Sequence, residues 1–258
     1  MRPRRKSYKY PCFQKIMENK RGQIAIFIII AVIIVIALVV ILLRPRLPLL
    51  QQSSLTPETY LKTCIEPSLK ENLDSLGANG GYRNPEGNII YKGEEIKYLC
   101  YTAENYKTCV VQQPAIKEQF EKELASTLKG RTNTCVSELK IEYEKRGYEV
   151  NLGVSDSSVS IIPGKIQVLV VAPLAIKKDS TQRFDKFNIE IDSQIYDLLL
   201  TASSIIDYES SLGDSETTLY MQYYPDLKIE KTKLSDGSKI YKLTNVVTNE
   251  SFRFASRS

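Results

Sequence analysis

The chain contains no histidine and no tryptophan, and the first absence removes whole classes of chemistry. Without an imidazole there is no Ser-His-Asp or Cys-His catalytic pair and no histidine-ligated zinc. None of the five cysteines falls in a Cys-x-x-Cys spacing, so no metal site and no cofactor are expected. Internal repeats and low-complexity tracts are also lacking. The excess of basic residues is local. Of the formal charge of +5, residues 1–22 hold +7 and Arg44 and Arg46 a further +2, which leaves −4 for the remainder. A mildly acidic folded part lacks the concentrated basic face that nucleic-acid binding requires, so nucleic acid is not an expected partner.

What the chain does have is a run of twenty apolar residues, Ile24–Leu43, of which seventeen are Ile, Val, Leu or Phe. As a helix this run rises about 30 Å, the thickness of a bilayer hydrocarbon core. On an insertion scale it favours the membrane by about 5–10 kcal/mol. The basic block ahead of it predicts a cytoplasmic N-terminus and an exported C-terminal part. A cleaved secretory signal has an apolar region of about 7–15 residues followed by small residues, whereas this run continues into Arg44-Pro45-Arg46-Leu47-Pro48. It reads as a signal anchor, with the membrane as its first partner.

At the junction, Lys20-Arg21-Gly22-Gln23-Ile24 sets a basic pair, a glycine and a glutamine against the apolar segment. This resembles the class III signal peptides of archaeal type IV pilin-like proteins. The resemblance implies cleavage after Gly22, a mature chain beginning at Gln23, and a helix freed to pack into a filament. Two residues depart from that pattern. Phe27 stands where many pilins carry Glu, and Pro45 and Pro48 stop the helix that a pilin stalk continues. Beyond the run, TCIEPSL, NGGY, LCYT and FRFASRS give the chain a general resemblance to single-pass envelope proteins of small-genome archaea, which carries no activity with it.

The expected layout is a tail or leader at 1–22, a membrane helix at 23–43 and a linker at 44–55. A helical, cysteine-bearing part follows at 56–147, and an antiparallel sheet with one long helix at 148–258. The fold class is therefore α+β. Thr56 and Pro57 open a helix whose apolar stripe (Leu61, Ile65, Leu69, Leu73, Leu76) runs through Pro67, where a kink is expected. Strands are read at Ile89–Tyr91, Ile96–Tyr101 and Tyr106–Val111. A helix from Pro114 is read as closed by Gly130, with a second helical stretch ending at Gly147. Pro163-Gly164 and Asp236-Gly237 mark hairpins. Ser193–Leu212 reads as a helix with Ile195, Leu198, Leu199, Ala202, Ile205 and Ile206 inward. Thr217–Tyr224 is grouped with the strands around Pro225-Asp226, and Phe252 and Phe254 alternate to the end. That pattern, so near the last residue, leads us to expect that the natural chain continues.

Four cysteines follow the run, which implies two disulfides of three possible connectivities. If Glu104-Asn105 turns a hairpin, Cys100 faces Cys109, and Cys64 and Cys135 remain to pair. Asn249-Glu250-Ser251 is an acceptor sequon for N-glycosylation. Ser126-Thr127-Leu128-Lys129 has the Ser-x-x-Lys spacing of an activated serine, without accompanying Ser-Asp-Asn or Lys-Thr-Gly. Asp207 with Glu209, and Glu190 with Asp192, could serve a glycosidase, but i and i+2 point to different sides of a helix. With 29 acidic residues after the tail they read as solvated faces. Tyr91, Tyr98, Tyr101, Tyr106, Tyr220, Tyr223 and Tyr224 cluster near strands, either as cross-strand packing or as a glycan- or protein-binding surface. The leading expectation is a non-enzymatic, membrane-anchored envelope protein with a structural or binding role, its partners being other envelope proteins or copies of itself. A processed pilin-like subunit is second, and an envelope hydrolase with a carboxylate or Ser-Lys site third.

Overall fold

The computed structural model describes residues 28–36 and 56–258. Residues 28–36, the middle of the apolar run, are helical with their Ile and Val side chains exposed. Among the described residues no helix is long and apolar enough to cross a membrane. The remainder of the run, Gly22, Gln23, Pro45 and Pro48 lie outside them. Residues 56–258 belong to one compact unit, which is α+β.

Helix α1 (Pro57–Ala78) begins as its sequence dictates. The Thr56 hydroxyl accepts from the Thr59 N–H at 3.2 Å, and Pro57 occupies the first turn, where its missing N–H costs nothing. It passes through exposed Pro67 as one helix, held by the buried stripe Leu61, Ile65, Leu69, Leu73 and Leu76. Its end comes so close to the sheet that a Cβ on Gly77 would lie 2.3 Å from the Ser251 carbonyl oxygen. Only glycine permits that approach.

Helix α2 (Ile116–Lys145) corrects the reading of two helices. The chain runs through Gly130 without interruption. Gly130 is exposed, and the stripe of Phe120, Leu124, Leu128, Thr132, Cys135, Leu139 and Tyr143 keeps its period across it. A helix-interior glycine costs about 1 kcal/mol, less than the burial of that stripe provides. Helix α3 (Ile195–Leu212) buries the six residues expected and closes on Gly213 in the left-handed conformation, φ 80°.

Two sheets flank these helices. The first contains β1 (Asn88–Tyr91), β2 (Glu94–Tyr101), β10 (Ser251–Arg257), β9 (Ser238–Asn245) and β8 (Leu227–Lys233) in that order, with β3 (Val110–Val111) against β2. It is mixed, because β2 and β10 are parallel. The 147/148 boundary is accordingly not a division between compact units, since strands from both halves share this sheet. The second sheet is antiparallel and centred on β6 (Lys165–Lys177). Strand β7 (Thr181–Asp192) pairs along one edge of β6, while β5 (Asp156–Ile162) and β4 (Glu149–Leu152) take successive stretches of the other. Pro163-Gly164 and Asp236-Gly237 form the turns expected of them. Pro173 sits inside β6 at the register shift between Val171 and Leu174, where a residue without N–H is tolerated.

Two further strand readings fail. Tyr106–Val111 is extended only at Val110–Val111, since Tyr106 has φ 62°, which no strand accepts. Thr217–Tyr224 contains a short helix, α4 (Thr218–Tyr223). It lies beside β8, an edge strand, and the Met221 sulfur accepts from the Ile229 N–H at 3.3 Å. Helix α4 thus covers an edge that would otherwise offer unpaired backbone groups.

Both disulfides expected from the sequence are present. Cys64 joins Cys135 with Cα atoms 5.9 Å apart, tying α1 to α2, and Cys100 joins Cys109 at 5.3 Å. The register assumed for the second is corrected. Cys100 stands opposite Val111, and Cys109 precedes β3, closing the loop that carries Tyr106.

Candidate functional site

The sequence candidates do not converge. Ser126 is exposed on α2, and Lys129 pairs with Asp156 at 3.5 Å. Glu190 is held by Lys165 at 2.6 Å and Gln167 at 3.0 Å, while Asp192 is exposed. Asn249 is exposed in the β9–β10 turn at φ 62°, open to modification. Cys64, Cys135 and Glu138 lie close enough together to suggest three ligands. The two sulfurs, however, are bonded to each other and offer no thiolate. Of the tyrosines, Tyr98 is buried with its hydroxyl 2.7 Å from Ser238 Oγ, and Tyr101 packs edge-on against it. Those two are packing residues.

Asp207 and Glu209 part company. Asp207 is exposed, but Glu209 is fully buried, which corrects the reading of a solvated face. Its position was legible in principle, since 195, 198, 199, 202, 205, 206 and 209 trace one helical face. On β9, Lys239, Tyr241 and Leu243 alternate inward in the same way. The Lys239 ammonium donates to Glu209 Oε2 at 2.7 Å, to Ser258 Oγ at 2.7 Å and to the Gly213 carbonyl. Tyr241 donates to Glu209, as does the Ser215 N–H at 2.9 Å. Ser256 and Ser258 lie 3.2 and 3.1 Å from the same carboxylate. Asp214 extends the cluster, lying 3.6 Å from the Lys239 ammonium and binding Lys231 and, at 2.8 Å, Lys233.

Burial alone pushes the Glu209 pKa up, but the bonds from Lys239, Tyr241 and Ser215 outweigh it and hold the carboxyl below its ordinary value. Burial and the Glu209 charge together drive the Tyr241 hydroxyl up. Burial likewise opposes ionisation of Asp214, yet Lys231 and Lys233 bring it down to about 2. This arrangement is unsuited to catalysis by a serine–lysine pair. A lysine that activates serine needs a free lone pair, and all three Lys239 protons are engaged, one of them by the Glu209 carboxylate. The network instead clasps the C-terminal end of α3 to β9 and β10.

A cleft opens near the other end of α3. Its volume is about 340 Å³, and it lies between Asp197, Leu200, Thr201 and Ser204 of α3, Tyr220 and Tyr224, and Asp226 in the turn before β8. Ser204 Oγ and the Tyr220 hydroxyl are 2.7 Å apart, fixing one ring against α3. An adjoining recess of about 390 Å³ shares Tyr220 and Tyr224 and adds Tyr208, Leu219, Tyr223 and Glu216. Leu219, Tyr223 and Tyr224 are more than half exposed, a local concentration of apolar and aromatic surface. The sequence reading grouped Tyr220, Tyr223 and Tyr224 with Tyr91, Tyr98, Tyr101 and Tyr106 and did not set the three apart, because it read this segment as strand. The chain matches no protein-family model, no curated protein and no solved structure.

Proposed function

We propose that this chain is a single-pass protein of the cell envelope. Its N-terminus lies in the cytoplasm and its disulfide-bonded α+β domain outside, where it binds a ligand or partner through the tyrosine-lined cleft without catalysing a reaction. The observation that carries the reading is the pair of disulfides in the domain behind the apolar run. Disulfides persist in oxidising compartments and are rare in a reducing cytosol. They agree, independently of hydropathy, with the export that the +7 tail predicts. Other envelope proteins or further copies of the chain are the partners this location offers. The proposed catalytic silence rests on the absence of histidine and on the scattered positions of Ser126, Lys129, Glu190 and Asp207.

The Lys20-Arg21-Gly22-Gln23 junction supports a second reading, in which a membrane peptidase removes the first 22 residues as it does from pilin-like subunits. Protein recovered from native membranes should resist alkaline extraction and begin at Gln23. Gly22→Phe should leave a precursor heavier by the 22-residue leader, still membrane-bound because the apolar run is intact. A native N-terminus at Met1, unchanged by Gly22→Phe, retires the pilin-like reading and leaves the anchor. Release of the chain by alkaline extraction retires the anchor as well.

A further inference from the structure

The free edge of a sheet carries unpaired N–H and C=O groups, a template for pairing with another chain. Most edges of this domain are covered or short. Helix α4 lies beside β8, with the Met221 sulfur on the Ile229 N–H. Helix α2 does the same for β5, Glu121 accepting from the Ile161 N–H at 2.6 Å and Asn133 from the Ser155 hydroxyl at 3.0 Å. Strands β1 and β4 have four residues each and β3 two. Strand β7, with twelve, is different. Its second half is flanked by α1, since Glu58, Lys62 and Glu66 line one recess with Asn188 and Glu190. Along 181–187, no described residue outside β6 bonds to its backbone. The register shift between Val171 and Leu174 places its extra residue on β6, so β7 itself is unbroken.

We propose that β7 pairs antiparallel with β7 of a second copy of the chain, about a two-fold axis at Phe184. The inference does not depend on the cleft. Two identical edges in one sheet meet only antiparallel, about an axis perpendicular to the sheet. Directly opposed side chains share a face, so the axis passes through one residue, which then faces its own copy. The edge reads Thr181-Gln182-Arg183-Phe184-Asp185-Lys186-Phe187. An axis at Arg183, Asp185 or Lys186 sets a charge against itself, which is unfavourable. One at Gln182 pairs only 181–183, and one at Phe187 carries the second strand over 188–190, beside α1. Phe184 remains. There each exposed Arg183 faces the exposed Asp185 of the other copy, Gln182 lies opposite Lys186, and the two Phe184 rings sit side by side. Charges on an edge ordinarily discourage pairing. Here they discourage the neighbouring registers and favour this one.

Sedimentation equilibrium of the full chain, in a non-ionic detergent matched in density by the solvent, reads the association. A dimer with a micromolar dissociation constant is expected. Arg183→Asp sets acidic residues opposite each other twice about the axis, and Asp185→Arg sets basic ones, so each should weaken the dimer about tenfold. The double variant, Arg183→Asp with Asp185→Arg, rebuilds both pairs in reverse and should return the dimer to the parent's affinity. That rescue excludes unfolding as the cause of the single losses. For the register, Phe184→Cys in a Cys12→Ser chain should cross-link to its own copy on mild oxidation, because only the residue on the axis faces itself within bridging range. Gln182→Cys should not. A monomer at hundreds of micromolar overturns the inference. So does a dimer indifferent to the charge reversals, which would place association elsewhere, or one cross-linked through Gln182→Cys in preference to Phe184→Cys. None of these outcomes touches the cleft or the membrane location, which alkaline extraction reads separately.

Discussion

Lys239→Met should destabilise the domain by about 3–5 kcal/mol, measured as the shift in urea unfolding free energy at pH 7. The cause is the charge left behind. Glu209 is fully buried, and without Lys239 it retains only Tyr241, Ser215 and serine hydroxyls to offset a carboxylate out of water. Replacing both members, Glu209→Leu with Lys239→Met, should cost markedly less than the lysine change alone, since no uncompensated charge remains. The effect also has a sign in pH. Glu209 has a folded pKa below its ordinary value. The stability it supplies is therefore present above the unfolded value, near 4.3, and is lost as pH falls through the folded one. In Lys239→Met the stranded carboxyl protonates more readily than in the unfolded chain, so the gap between variant and parent should begin to narrow above about pH 4.3 and go on narrowing below it as the parent loses its share. A cost below 1 kcal/mol, or one independent of pH, would show that the network is not the clasp described.

The second large effect separates the two disulfides. Cys64 and Cys135 are 71 residues apart in sequence, and Cys100 and Cys109 only 9. In the chain-entropy account the longer loop removes more freedom from the unfolded state, about 4 kcal/mol against about 2.5 for the shorter. Cys64→Ala with Cys135→Ala should therefore lower the urea midpoint more than Cys100→Ala with Cys109→Ala. The first bridge also ties two long helices, α1 and α2, through half-buried Cys64 and buried Cys135, whereas both cysteines of the second are buried and join neighbours in sequence. The second closes an exposed loop carrying Tyr106. The reverse ranking would mean that strain or residual unfolded-state structure, and not loop closure, governs these bonds.

Much of the fold was legible because local chemistry and tertiary packing agree. Thr56 and Pro57 start α1, Gly213 ends α3, and Pro163-Gly164 and Asp236-Gly237 turn their hairpins as their backbone preferences require. The cysteine pairing followed by exhausting the partners once one hairpin was assumed, even though that hairpin's register was off. The failures lie where packing overrides local preference. Gly130 looked like a stop, but the buried stripe continues across it. The run Thr217–Tyr224 has strand-like residues, yet it coils into α4, which packs beside β8 with the Met221 sulfur accepting from the Ile229 N–H. The parallel pairing of β2 with β10 joins segments some 150 residues apart, and no local pattern announces it. The candidate cleft was half legible. Its tyrosines could be named, but Asp197 and Asp226 reach it only through the α3–α4–β8 packing. Glu209 followed the helical period and was still passed over, because its partners Lys239 and Tyr241 lie on a distant strand.

The central claim, an oxidised domain on the outer side of the membrane, is tested most directly by thiol labelling in intact cells. A membrane-impermeant maleimide should label none of Cys64, Cys100, Cys109 and Cys135 until an impermeant reductant is added outside, and should then label Cys64, the one of the four that is not buried, with Cys12 of the tail remaining protected in both conditions. Labelling of any of the four before reduction, or labelling of Cys12 in sealed cells, would contradict the account.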